Sequence, residues 1–250
     1  MLAAIIFDLD DTLIDWSYRV QDWPDYTYPH LISTFNYVHS IYANIDLEDF
    51  LETVAGIRDD MWRRSKETLI APHVGKLLTQ SFNTLGVPGE YLDQEKLLLA
   101  YDWKPVAGEA PFQDALEILP LLREKGIVTA VLSNASETMW MRDAELREFG
   151  LLRYFPECRI SSADVGFMKP HPLIFKAALS CLHSSINNTI MVGDNLETDI
   201  LGAQKQGLRT VLRIGSQNLH RTSSPIRPDA VLKSLHELLP ILDEWYLGWR

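Results

Sequence analysis

Little in this sequence points to an oxidising compartment, a membrane or a nucleic acid. Only two of its 250 residues are cysteine, Cys158 and Cys181, and they form no CxxC pair. No histidine pattern accompanies them, so two reduced thiols are expected, without a disulfide framework or a zinc site. Long hydrophobic runs are missing too: none approaches the roughly 18 apolar residues of a membrane span. The opening MLAAIIFDLDDT carries no basic residues ahead of its short apolar run. It is not read as a signal peptide, and a cytoplasmic location is expected. Basic residues are in short supply, 23 Lys and Arg against 34 Asp and Glu, for a formal charge of −11. Phosphate backbones are held by an excess of Lys and Arg, which argues against nucleic acid as a partner. A small anionic ligand remains open, because a local site can hold one despite a negative surface. Internal repeats and low-complexity tracts are absent as well.

What is present suits a packed globular fold: 46% of residues are hydrophobic and 23% charged. Residues 3–8 (AAIIFD) form a near-continuous apolar run ending in acids, as expected of a parallel strand buried on both faces. Residues 127–132 (IVTAVL), 189–193 (TIMVG) and 208–214 (LRTVLRI) repeat the pattern. The first three runs end in polar residues: Asp8-Leu9-Asp10, Ser133-Asn134 and Asp194-Asn195. Helical patterns lie between, at 113–125 before Gly126 and at 198–206 before Gly207, each glycine a C-cap signal. Pro120 inside the first predicts a kink or a shorter helix. A short strand near Asp229–Leu232 and a helix from Ser234 to about Glu244 follow. Strand and helix alternating with short connections predict a doubly wound parallel sheet of α/β class, with ligands at the carboxyl ends of its strands.

Residues 15–107 break this alternation. They read as amphipathic helices, with Leu47, Phe50, Leu51 and Val54 and then Leu77, Leu78, Phe82 and Leu85 at helical spacing. Lys104-Pro105, Gly108 and Pro111 mark a return linker. The expected organisation is a core of residues 1–14 and 108–250 with a smaller helical domain, 15–107, inserted after the first strand.

Asp8 and Asp10 stand two apart at a strand end, so both can face one site. Such a pair can divide labour between an ionised nucleophile or metal ligand and a protonated general acid. A solvated acidic strand end reads equally well from these two residues alone. Gly193-Asp194-Asn195 closes another run, with Asp199 five residues beyond Asp194. Acids from two strand ends suit a hard divalent ion such as Mg2+, and clustering them without a cation is costly. Ser133 and Asn134 supply donors for an anionic oxygen; Lys169 supplies a cation, unless it is an ordinary exposed loop lysine.

FDLDDT, LSNAS, KPHP and VGDNLETDI, in this order, resemble the haloacid dehalogenase-like hydrolase superfamily, and the match spans nearly the whole chain. The insert looks like that family's helical cap between its first two motifs. The resemblance implies a Rossmann-like core and a Mg2+-dependent phosphatase acting on a small phosphorylated metabolite. Asp8 would be the nucleophile, forming an aspartyl-phosphate, and Asp10 the general acid and base. The carboxylates of Asp8 and Asp194 and the backbone carbonyl of Asp10 would hold the metal. Asp199 would hold metal-bound water or orient Lys169. Ser133, Asn134 and Lys169 would meet the phosphoryl oxygens, with Thr12 supporting the loop.

Metal-free carbon–halogen hydrolases of that superfamily would not be expected to keep an acid at 10 and the Gly-Asp pair at 193–194. A phosphomutase shares both aspartates, and a binding protein on the same fold would be marked by a lost motif residue. Specificity is expected from the insert, with Arg58 and Trp62 as candidate contacts. Its aromatic residues, Trp16, Tyr18, Trp23, Tyr26 and Tyr28, read more simply as packing. His30, His73 and His171 read as structural or surface residues, because an oxygen-rich site needs no imidazole.

Overall fold

A computed structural model describes residues 2–18, 23–105, 107–215 and 224–250; the side chain of Trp23 lies outside what it describes. Six parallel strands form one sheet, in the order β5-β4-β1-β6-β7-β8. They are β1 (Ala4–Phe7), β4 (Val128–Ser133), β5 (Cys158–Ser161), β6 (Thr189–Gly193), β7 (Arg209–Arg213) and β8 (Ala230–Leu232). Two short strands, β2 (Ile14–Asp15) and β3 (Ala110–Pro111), pair antiparallel beside it. They pin together the chain leaving β1 and the chain returning to the sheet.

The near-continuous apolar runs are explained by helices on both faces. Ile5 and Phe7 of β1 point into a cluster with Ile118 and Leu122. Ala4 and Ile6, on the opposite side of the pleat, pack with Ile174 and Phe175. The first face is covered by α5 (Gln113–Glu124) and α10 (Leu238–Trp245), the second by α8 (Pro172–Cys181) and α9 (Gly202–Gln204). Between them in the chain run α6 (Met139–Glu148) and a single turn, α7 (Ser162–Val165). Each buried strand thus has apolar partners on both sides, which removes the polar–apolar alternation of a one-sided sheet.

Residues 23–101 hold four helices: α1 (Trp23–Ile41), α2 (Leu47–Thr68), α3 (Val74–Thr84) and α4 (Gln94–Tyr101). Asp46 and Asp93 cap α2 and α4, each accepting two backbone N–H groups of the first turn. Such caps satisfy donors that a helix start leaves unpaired. The helices share a cluster that includes Phe35, Phe50, Leu78, Phe82 and Leu97. Phe50 and Phe82 stack with ring centres 4.4 Å apart. Among the described residues no helix is long and apolar enough to cross a membrane.

Several sequence expectations are corrected. Strand β5 carries the sequence CRIS, and its arginine hides the apolar run. It is an edge strand with one neighbour, where Arg159 reaches out to Asp143 at 2.7 Å. Helix α5 is not cut short by Pro120, which lies within it. The segment after β6 opens as a wide turn rather than a plain helix: Ile200 N–H donates to Asn195 O, five residues back, at 3.2 Å. Cys158 and Cys181 are joined in a disulfide, with Cα atoms 5.7 Å apart. The crossover from β5 through α8 brings them together across 23 residues, a proximity that sequence spacing does not encode.

Candidate active site

Asp8 follows β1, with β4 on one side and β6 on the other. The chain runs outward from β1 to β4 and β5, then crosses back to β6, so Asp8 stands where the strand order reverses. Open parallel sheets bind ligands at this point. Its N–H donates to Val192 O at 2.9 Å, extending the β6 ladder one residue beyond Phe7. The loop beyond coils tightly: Leu13 and Ile14 both donate to Leu9 O, at 2.8 and 3.0 Å. Asp11 takes φ of 56°, a left-handed conformation that Asp tolerates better than most residues. This coil presents Asp8 and Asp10 to the same crevice while burying Thr12, whose hydroxyl donates to Asp8 Oδ2 at 3.3 Å.

Lys169 is no exposed loop lysine. Its side chain is 1% exposed, and Nζ lies 2.5 Å from Asp8 Oδ1 and 2.8 Å from Asp199 Oδ1. It also donates to Leu132 O at 2.7 Å. Asn134 fixes the Lys169 backbone: Lys169 N–H donates to its Oδ1 at 2.7 Å, and its Nδ2 donates to Lys169 O at 3.0 Å. The expected donor to a phosphoryl oxygen thus also sets the position of the lysine. Ser133 is fully buried at the end of β4 and donates to Asp10 Oδ2 at 3.3 Å.

Asp8, Asp194 and Asp199 offer carboxylate oxygens within 4.8 Å of one another. Asp199 comes this close because Gly193 has no side chain; a Cβ there would sit 2.5 Å from the Asp199 carboxylate. Burial pushes the Asp8 carboxyl well above its ordinary value, Lys169 pulls it back, and Asp199, Asp194 and Asp10 add to the rise. Burial opposes the Lys169 charge, yet Asp199 and Asp8 push its ammonium up regardless. Three carboxylates face one ammonium, and hard oxygen donors are what a small divalent cation requires.

The Asp10 carboxylate lies outside this group. Arg142 from α6 grips it as a fork, Nη2 to Oδ1 at 2.6 Å and Nη1 to Oδ2 at 3.2 Å. Trp16 Nε1 donates to the same Oδ1 at 2.9 Å. Burial alone would raise the Asp10 carboxyl, but the Arg142 guanidinium holds it below the usual carboxylate range. Asp10, Trp16, Trp62, Ser136, Glu137 and Arg142 line a cleft of about 510 Å³. Arg58 lines a smaller cavity that shares Trp62, Ser136 and Glu137.

With this geometry in hand, comparison with known proteins is informative. The model of the haloacid dehalogenase-like hydrolases matches residues 2–207. The chain belongs to the haloacid dehalogenase-like hydrolases. Among its relatives in this family, a ribulose-1,5-bisphosphate 5-phosphatase of Halopiger xanaduensis is 29% identical over 95% of both chains. A glyceraldehyde 3-phosphate phosphatase of Methanopyrus kandleri is 28% identical over 98% of both. The crystal structure of a 2-haloacid dehalogenase from Pseudomonas syringae pv. Tomato DC3000 superposes with a TM-score of 0.61. It is 22% identical, with 98% of this chain and 100% of that one covered, a likeness of fold.

As in the reading of its motifs, this haloacid dehalogenase-like hydrolase brings Asp8, Asp10, Thr12, Ser133, Asn134, Lys169, Asp194 and Asp199 to one end of its sheet. Sequence reasoning misses Arg142 and Glu145, because a helix rich in charge reads as a solvated face, and Trp103, because its partner lies 42 residues away. Trp16 packs against both apolar clusters as expected, and its indole N–H also ends on Asp10. Tyr26 does pack, buried among the helices, whereas Tyr18 and Tyr28 are exposed. The histidines are structural: His30 bonds Tyr101 O at 2.9 Å, and the His73 and His171 rings cap α3 and α8.

Proposed function

We propose that the protein is a Mg2+-dependent phosphohydrolase of small phosphorylated metabolites, working through an aspartyl-phosphate on Asp8. One observation carries the reading: a buried carboxylate at the switch point of the sheet, paired with a buried lysine and crowded by two more acids. The curated relatives named as phosphatases support it. The residues suit the metal because their donors are hard oxygens that converge from two strand ends. The carboxylates of Asp8 and Asp194 and the backbone carbonyl of Asp10 would hold it. Bound there, Mg2+ supplies Lewis-acid neutralisation of charge on the phosphoryl oxygens.

The chain's own residues do the rest. An Asp8 oxygen attacks phosphorus in line, forming the acyl-phosphate bond as the ester P–O bond breaks. Asp10 gives its proton to the departing oxygen, then takes one from the water that cleaves the acyl-phosphate. Arg142 favours the ionised form needed for the second step. A dianionic phosphoryl group arriving beside Asp10 raises its carboxyl again and prepares the first. Lys169 and Ser133 meet charge developing on the phosphoryl oxygens from fixed positions, so no reorganisation is needed during transfer. Residues 15–107 would act as a cap over the core of residues 1–14 and 108–250. Its loop between α2 and α3 already reaches that core: Val74 N–H donates to Ser136 O at 2.9 Å, and Ala71 N–H to Gly166 O at 3.0 Å.

Turnover of p-nitrophenyl phosphate by the purified protein tests the reading. It should vanish with excess chelator and return with Mg2+. Undiminished turnover in chelator, or none in either condition, overturns it.

A further inference from the structure

Arg142 is buried on α6, with a side chain only 4% exposed, and it is spent entirely on two acids. Beyond its fork on Asp10, its Nε donates to Glu145 Oε2 at 2.9 Å. Glu145 is fully buried, and its other oxygen accepts the indole N–H of Trp103. Trp103 stands just past the end of α4, where the chain leaves the helical segment. It stacks on His30 with centres 5.6 Å apart and meets Tyr26 edge-on at 5.3 Å. The opposite linker, just past β2, supplies Trp16, whose N–H also ends on Asp10. Both crossings between sheet and helices are therefore tied to Asp10, one directly and the other through Glu145 and Arg142.

An ordinary structural ion pair would be sealed on both sides. Here Glu145 is fully buried and Arg142, at the cleft wall, is 4% exposed, but Asp10 keeps 32% of its side chain exposed toward the cleft. The fork holds the back of the carboxylate and leaves its front to whatever enters. A bidentate guanidinium fixes orientation as well as distance, which a single hydrogen bond does not. We propose that Arg142 is a positioning residue for Asp10, and that Glu145 and Trp103 tie its placement to the helical segment. The inference rests on the reading of Asp10 as the group that serves the leaving oxygen. The packing of the helices against the sheet then sets the angle of that carboxylate through Trp103, Glu145 and Arg142.

The test compares two esters, p-nitrophenyl phosphate, whose leaving group needs no proton, and a simple alkyl phosphate, whose leaving group does. Single-turnover phosphorylation is measured for wild type, Asp10→Asn, Arg142→Gln, Arg142→Lys and Trp103→Phe. A well-placed general acid contributes about 10²–10⁴-fold. Arg142→Gln should cost about 10–100-fold on the alkyl ester and less than about twofold on the aryl ester. Lys at 142 should recover part of the loss, because it restores charge but not the fork. Trp103→Phe keeps the ring and loses only the N–H, and should show a smaller loss of the same selectivity. Asp10→Asn combined with Arg142→Gln should be no worse than Asp10→Asn alone, since both act through one group. If Arg142→Gln fails to fold, the pair Arg142→Gln/Glu145→Gln removes both buried charges together and replaces it. Equal losses on the two esters, or none on either, overturn the inference while wild type and Asp10→Asn behave as proposed. A wild-type protein that phosphorylates itself from neither ester overturns the proposed reaction and this inference with it.

Discussion

The Lys169 ammonium lies 2.5 Å from the Asp8 carboxylate, and both side chains are almost wholly buried. A cation so placed does two things. It lowers the cost of keeping Asp8 ionised among other acids, and it marks where negative charge on a transferring group would be met. Removing it leaves Asp8 and Asp199 as uncompensated buried charges. Breaking such a pair from one side costs about 3–5 kcal/mol. Lys169→Met should therefore lower unfolding free energy by about that much in urea titrations, as well as abolishing turnover. A variant with wild-type stability would mean the charges relax into water on their own.

Asp8→Asn separates fold from chemistry. The amide keeps the shape, and it no longer repels Asp194 and Asp199. An amide is a very poor nucleophile at phosphorus. Circular dichroism should be unchanged, turnover should fall below detection, and no phosphoenzyme should form with a labelled substrate. Turnover near the wild-type level in pure variant protein would remove Asp8 from the mechanism.

Asp194 tests the metal by affinity rather than by presence or absence. It is one of three acids whose oxygens converge, and its strand end differs from that of Asp8. Asp194→Ala should raise the Mg2+ concentration needed for half-maximal turnover by at least about tenfold. Ca2+ should substitute poorly for Mg2+ in wild type, because it relaxes the octahedral geometry. An unchanged Mg2+ titration would place the cation elsewhere.

Glu145 gives the fold a pH dependence of known sign. Burial pushes its carboxyl from an ordinary 4.5 up to about 7, despite the opposing pull of Arg142. Between those values the folded chain keeps a proton that the unfolded chain has lost. The associated stability is complete below the lower value and is lost as pH rises through the upper one. At about 1.4 kcal/mol per unit the effect amounts to about 3 kcal/mol. Glu145→Gln cannot titrate, so its stability relative to wild type should increase as pH is raised from 5 to 8. A constant difference across that range would show that Glu145 stays ionised throughout, held by Arg142.

The strands and their acids were legible because burial on both faces writes a continuous apolar run, and the run stops where the site begins. Asp8, Ser133 and Asp194 lie at three such stops. Strand β5 was not legible, since an edge strand with Arg159 at its centre shows no run. For Asn134, sequence shows an amide beside a strand end but not the Lys169 backbone that it holds. The link from Trp103 to Glu145 spans 42 residues and joins two charged or polar positions that each look solvated alone. Contacts of that kind depend on how the helical segment folds back over the sheet, which local patterning does not specify.

That fold-back decides what Trp62 and Arg58 can do. Trp62 lines the cleft with Asp10, while Arg58 lines only the smaller adjoining cavity, with Tyr101 and Glu137. The two positions should therefore behave differently. Trp62 faces the space a leaving group would enter, where lost apolar and stacking contact costs binding energy used for closure. Trp62→Ala should depress kcat/KM for the physiological ester at least about tenfold more than for p-nitrophenyl phosphate. Arg58 is absent from the lining of the cleft and is paired at 3.5 Å with Asp59. Arg58→Ala should act on a large leaving group that extends past Trp62 and leave small esters within about twofold. A screen of phosphorylated metabolites, ranked by kcat/KM in wild type and in each variant, makes the comparison. Equal depression of every ester by Trp62→Ala would make the tryptophan part of the packing between helices and sheet, and specificity would then be set elsewhere in the cleft.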